Sequence, residues 1–112
     1  MIYNHTERNI VCHEVETAFT FVARFKGLML KENIDVTKGL LLAPCNSVHM
    51  FFMRFPIDVV FIDRYYKVVG IELALKPWRM SKVYKAAWYA LELPAGRAKD
   101  SGVSVGDVLE LS

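Results

Sequence analysis

Cys45 and His49 stand four residues apart. A thiol beside an imidazole can be a nucleophile with its base, or two of the ligands of a zinc ion. The backbone between them decides whether they can meet. In an extended chain their Cα atoms would lie ~13 Å apart, at a rise of about 3.3 Å per residue, too far to share a proton or a metal. In a helical turn the same spacing closes to ~6 Å. Pro44 and Asn46-Ser47 favour a turn ahead of the next apolar run, which keeps the pair open as a catalytic candidate. The competing reading, a buried thiol and a core histidine bonded to backbone, ranks first because unpaired cysteine is among the most buried residue types. A metal would need further ligands. His5, His13, Asp58 and Asp63 stand at no recognised ligand spacing, so no metal and no cofactor are expected.

The carboxylates are the second group. Asp58 sits between Ile57 and Val59, Glu72 lies on an alternating run, and Glu92 lies among Leu91, Leu93 and Pro94. A carboxyl held among apolar neighbours has a raised pKa and can serve as general acid or base, which makes Asp58 and Glu92 catalytic candidates. The structural alternative pairs Asp58 with Arg24, Arg54 or backbone amides at a strand start, and leaves Glu72 solvated.

The third group is a surface. From Lys76 to Leu91 the chain carries Lys76, Arg79, Lys82 and Lys85 with Trp78, Tyr84, Trp88 and Tyr89 interleaved, and no acid. Aromatic faces beside cations can stack a sugar or hold a phosphate or carboxylate, so Lys76, Trp78, Arg79 and Tyr84 form a candidate ligand-binding set. The opposing reading is a loop whose lysines keep it soluble while its aromatics pack inward.

These groups must be positioned by strands. Ile10–Val15 reads as a first strand, and Ala18, Phe19, Val22, Phe25 and Met29 recur at helical steps behind a Thr17 cap. Gly27 ends that helix between Phe25 and Leu30. Gly39–Ala43, Val48–Met53, Ile57–Ile62, Lys67–Lys76, Trp88–Leu93 and Val108–Leu111 follow as strands. Val48–Met53, apolar on both faces, is expected at the centre of a sheet. Asp63-Arg64-Tyr65-Tyr66 makes a turn, and Pro94–Ser101 a helical turn ended by Gly102. Short strands at turn-punctuated intervals predict a mainly β fold, a sandwich or partly closed barrel with one short amino-terminal helix.

With 112 residues, 54% hydrophobic and 23% charged, the chain has apolar matter for one core and is expected to form one domain over 1–112, with 1–9 as a flexible leading segment. A formal net charge of +2 is too slight to make nucleic acid or an acidic membrane the default partner. The first nine residues lack the apolar core of a signal peptide, and no apolar run approaches the ~20 residues of a spanning helix. A cytoplasmic location with reduced Cys12 and Cys45 is the expectation.

Six blocks stand in a specific order: Arg24–Met29, Pro44–His49, Phe52–Asp63, Leu75–Trp78, Leu91–Gly96 and Val105–Asp107. Together the blocks resemble the family known as domain of unknown function 192, across about residues 10–111. The resemblance implies a compact β-sandwich, jelly-roll-like in form, and assigns no activity. Many members carry an export signal that these first residues do not show. Binding of a small anionic or carbohydrate-like ligand ranks first, a protein-interaction or structural role second, and a hydrolase or transferase using Cys45 and His49 third.

Overall fold

The computed structural model describes residues 1–112, Phe21 by its backbone alone. Branched and aromatic residues at two-residue steps build the strands, and glycine, proline and aspartate punctuate them. In chain order the elements are β1 (Ile2–Asn4), β2 (Asn9–Cys12), β3 (Glu14–Ala18), α1 (Phe21–Lys26), β4 (Lys38–Leu42), β5 (Ile57–Ile62), β6 (Val68–Leu75), β7 (Tyr89–Pro94), α2 (Arg97–Asp100) and β8 (Leu109–Leu111). The fold is mainly β. Its strands form two open sheets, not a closed barrel, in the orders β2-β1-β8 and β3-β4-β7-β5-β6. All pairings are antiparallel except β3 with β4, the pair that needs a crossover and receives α1 for it.

The side-chain alternation of the five-stranded sheet creates two cores. Leu41, Val60, Ile62, Leu91 and Leu93 point one way and pack with Ile2, Val11, Cys12 and Leu109 of the smaller sheet. Leu40, Leu42, Val59, Phe61 and Ala90 point the other way, under α1 and two long connections, with Leu28, Val48, Met50 and Met53. Tyr84 stacks on Phe61 in this second core at 4.3 Å between ring centroids. It lies so close to Gly70 that a Cβ there would stand 2.1 Å from the ring, so only glycine fits that position.

The structure departs from the sequence expectations in four places. Ile2–Asn4, expected within a flexible leading segment, forms the central strand of the smaller sheet, with Ile2 and Asn4 buried. The expected strand Ile10–Val15 is split at His13, where the chain passes from one sheet to the other. The helix begins at Phe21, not Ala18, because Glu14–Ala18 is held extended beside β4, and Thr20, not Thr17, accepts from the Ala23 amide. The helical turn expected over Pro94–Ser101 is present as the four-residue α2.

Val48–Met53 is not a strand. It makes one isolated bridge, His49 to Met80, and its backbone bonds go to the loop after β6, Ser81 to Val48 and Met50 to Arg79. Val48, Met50 and Met53 plug the second core while Phe51 and Phe52 turn outward. Inward and outward apolar residues together imitate the pattern of a central strand.

Candidate functional site

A cavity of about 710 Å³ opens on the α1 side of the five-stranded sheet, within the range of small-molecule sites. Its walls are the end of α1 (Arg24–Met29), the Pro44–His49 loop, the β5–β6 turn at Asp63–Tyr65 and the Lys85–Trp88 segment. Leu42, Met53 and Glu92 complete it. Gly27 ends α1 with φ +45°, a left-handed value that suits glycine. The Gly27 Cα faces Glu92, and a Cβ there would lie 3.5 Å from Oε1.

Glu92 is the unusual member. On β7 it pairs in register with Leu40 and Val59, so its side chain takes the second face, among apolar neighbours. It is 4% exposed, and no protein group bonds its buried Oε1. Burial alone pushes its pKa up to about 8, so at neutral pH it is a protonated acid able to donate.

Around the cavity stand Arg24, Lys26, Arg64 and Lys85, against two acids of the lining, Asp63 and Glu92. Arg24 is held by the Phe19 and Ala43 carbonyls, at 2.9 and 3.4 Å. The Arg64 guanidinium lies 4.1 Å over the Trp88 ring. Asp63 spends Oδ1 on the Tyr65 and Lys67 amides. The field at the lining is therefore positive.

Of the catalytic candidates, Cys45, His49 and Glu92 line this cavity and Asp58 does not. Asp58 pairs with Leu93 on the opposite face, where it accepts from the amides of Ala74, Gly96 and Ala98 at 2.8–3.0 Å. It ties β6 and the start of α2 to β5, a structural duty to backbone amides. Cys45 and His49 share the wall without a hydrogen bond between them. The thiol donates to the Ser47 carbonyl at 3.0 Å, and burial raises its pKa. The His49 ring accepts from Phe51 N–H at Nδ1 and so carries its proton on Nε2, which donates to the Phe25 carbonyl. A thiol so held is a poor nucleophile near neutral pH. Iodoacetamide should label Cys45 slowly in the native protein and at least tenfold faster in denaturant, read by peptide mass spectrometry; fast native labelling would restore the nucleophile reading.

The aromatic and basic candidates separate. Lys76, Trp78 and Arg79 lie on the exposed loop after β6, whereas Tyr84 turns inward onto Phe61. Burial, then Glu72, raises the Tyr84 pKa. Glu72, read as solvated, accepts from the Lys82 amide at 2.7 Å. Cys12 and Cys45 are free thiols, one in each core. Among the described residues no three His, Cys, Asp or Glu side chains gather as a metal site requires, and no helix is long and apolar enough to cross a membrane.

Sequence reasoning named Lys85 and Trp88 within the Lys76–Leu91 binding segment but missed the cavity roles of Arg24 and Arg64. Only contacts between distant segments bring them together, and no local spacing signals that.

The family model of DUF192, described as Uncharacterized ACR, matches residues 2–111. The chain belongs to the DUF192 family. It is 36% identical to a UPF0127 protein of Thermococcus gammatolerans, over 97% of this chain and 73% of that protein. To a UPF0127 protein of Thermococcus kodakarensis it is 37% identical, over 97% and 71%. A crystal structure of a protein of unknown function from Novosphingobium aromaticivorans superposes with a TM-score of 0.80 at 23% identity, covering 87% of this chain and 74% of that one. It shares the fold. A crystal structure of a candidate transcription regulator from Sinorhizobium meliloti has a TM-score of 0.79 at 30% identity, covering 86% and 79%. The blocks that carried the resemblance thus sit in a DUF192 domain, and four of them, Arg24–Met29, Pro44–His49, Phe52–Asp63 and Leu91–Gly96, contribute to the cavity wall.

Proposed function

We propose that this DUF192 domain is a binding module for a small amphiphilic anion, seated in the cavity between α1, the Pro44–His49 loop and the Lys85–Trp88 segment. The observation that carries the reading is the buried Glu92 carboxyl, whose Oε1 no protein group bonds, in a cavity of about 710 Å³. Buried polar atoms in proteins nearly always have a partner, and one without a partner weakens the fold. A ligand acceptor atom would supply that partner by taking the Glu92 proton in a hydrogen bond. The apolar lining, Leu28, Leu42, Val48 and Met53 among it, would hold the ligand body. Arg64, Lys85 and Arg24 would attract a carboxylate or phosphate at the other end.

The reading moves the ligand away from Trp78 and Arg79, which do not border this cavity. A neutral carbohydrate remains the second ligand class, since Trp88 offers an aromatic face. DNA contact of the kind a transcription regulator would make finds little support here. The net charge is +2, and the helices are six and four residues long, shorter than the elements that lie in a major groove.

Thermal shift against a panel of small carboxylates, organic phosphates and neutral sugars tests the reading. Saturating ligand raises the melting temperature through linkage. An apolar carboxylate or phosphate should raise it in the wild type, and the shift should vanish in an Arg64→Glu/Lys85→Glu double variant. Affinity should fall as the pH rises through about 8, where Glu92 ionises, stops donating and repels the anion. Hits confined to neutral sugars, or anion hits indifferent to the double variant, would overturn it.

A further inference from the structure

Three bulky apolar residues, Leu30, Phe52 and Trp78, come from three separate loops and meet at one edge of the molecule. The Leu30 amide donates to the Phe52 carbonyl at 3.0 Å, and the Trp78 amide donates to the Met50 carbonyl at 2.8 Å. The Phe52 and Trp78 rings lie 4.9 Å apart. All three residues have left-handed backbone, φ +63°, +61° and +68°, a conformation that disfavours large side chains. All three are exposed, at 68%, 50% and 59%. Met80, two residues after Trp78, is also exposed, and the Phe51 ring lies 6.2 Å from Trp78, tilted by 37°. The fold thus holds its bulkiest loop residues outward in strained geometry. Apart from the contacts these rings make with one another and with Phe51, the three side chains face solvent, and backbone strain of this kind is concentrated at functional surfaces.

Charge identifies the occupant. Lys31 follows Leu30, Arg54 lies two residues beyond Phe52, and Lys76 and Arg79 flank Trp78; all four are exposed. Glu32, 3.8 Å from Arg54, is the acid at this edge. The whole-chain charge of +2 conceals this clustering. A second copy docked by two-fold symmetry would set cations against cations. A fluid anionic surface accepts separate protruding side chains without needing pockets to match them, and tryptophan suits the headgroup boundary.

We infer that Leu30, Phe52 and Trp78, ringed by Lys31, Arg54, Lys76 and Arg79, form a docking surface for an anionic lipid bilayer, the apolar tips entering the headgroup layer. The contact is peripheral. It stands on observations independent of the cavity, so either reading can fail alone.

Sedimentation with vesicles tests it, comparing phosphatidylcholine alone with mixtures containing phosphatidylglycerol. The wild type should sediment with the anionic vesicles and stay in solution with the neutral ones, with binding falling as salt rises. A Leu30→Asn/Phe52→Asn/Trp78→Asn variant should lose more than about tenfold in partitioning. Its melting temperature should hold or rise, because asparagine tolerates the left-handed conformation. An Arg54→Glu/Lys76→Glu/Arg79→Glu variant should lose binding as well. Three results would overturn the inference: no wild-type binding to anionic vesicles, equal binding to neutral ones, or undiminished binding by the asparagine variant. Concentration-dependent dimerisation abolished by that variant, with no vesicle binding, would assign the surface to self-association instead.

Discussion

Glu92→Gln is expected to gain stability over the wild type progressively as the pH rises from about 5 to about 8. Folding lifts the Glu92 pKa from its ordinary 4.5 to about 8. Below 4.5 the carboxyl is protonated in both the folded and unfolded chain and contributes no pH dependence. Between the two values the unfolded chain has released the proton and the folded chain still holds it, so stability falls as pH rises. Above about 8 the loss is complete and constant. The interval from 4.5 to about 8, at about 1.4 kcal/mol per pH unit, bounds the loss at about 4–5 kcal/mol. Glutamine has no proton to lose. Its own unpaired amide subtracts a constant of about 1–3 kcal/mol, which shifts the curve without tilting it. Urea unfolding of both proteins at several pH values reads the difference, and parallel profiles would show that the carboxyl is not buried as described. A group that weakens its own fold at neutral pH is what a binding site requires and a packing position does not.

Asp58→Ala is expected to act in the opposite direction, destabilising by on the order of 4 kcal/mol at neutral pH. The Asp58 carboxylate accepts three amides from two segments, and its removal leaves those donors without a partner where β5, β6 and α2 meet. Asp58→Asn keeps one acceptor oxygen but turns an NH₂ group toward amide donors, so it should recover only part of the loss. The measurement is again the unfolding midpoint. A loss below about 1 kcal/mol would mean that these amides find other partners. The two buried carboxyls of adjacent strands thus predict mutants of opposite sign.

That contrast also marks how far residue order alone can be read. Asp58 and Glu92 have near-identical surroundings in the chain, each between branched or leucine residues on a strand. What separates them is the face each takes and whether amide donors wait there, and both depend on partners tens of residues away. Strands bounded by strong punctuation were legible: Pro56 and the Asp63 turn delimit β5, and Pro94 closes β7. Lys38–Leu42 and Leu109–Leu111 were found nearly in place for the same reason. The Pro44–Pro56 stretch was not, because its apolar residues divide between the core and the outer edge, and strict alternation cannot distinguish that from a sheet interior. The start of α1 was misplaced because Glu14–Ala18 owes its extended form to β4, more than twenty residues later. At the cavity, Glu92, Cys45 and His49 could be nominated by residue type. Trp88 could be nominated with the aromatic and basic segment; Arg64, which meets it only through the pairing of β5 with β7, could not.

The smaller sheet has a consequence for how the chain is made. β1 lies between β2 and β8, so the first strand of this domain can complete its sheet only once Leu109–Leu111 has left the ribosome. Until then the side of the larger sheet bearing Val60, Ile62, Leu91 and Leu93 has only part of its cover and faces water. Closing a sheet over so long a separation is slow, and an uncovered greasy face invites association between nascent chains. The interval between emergence of β7 and capture of β8 is therefore when a newborn molecule most needs a chaperone.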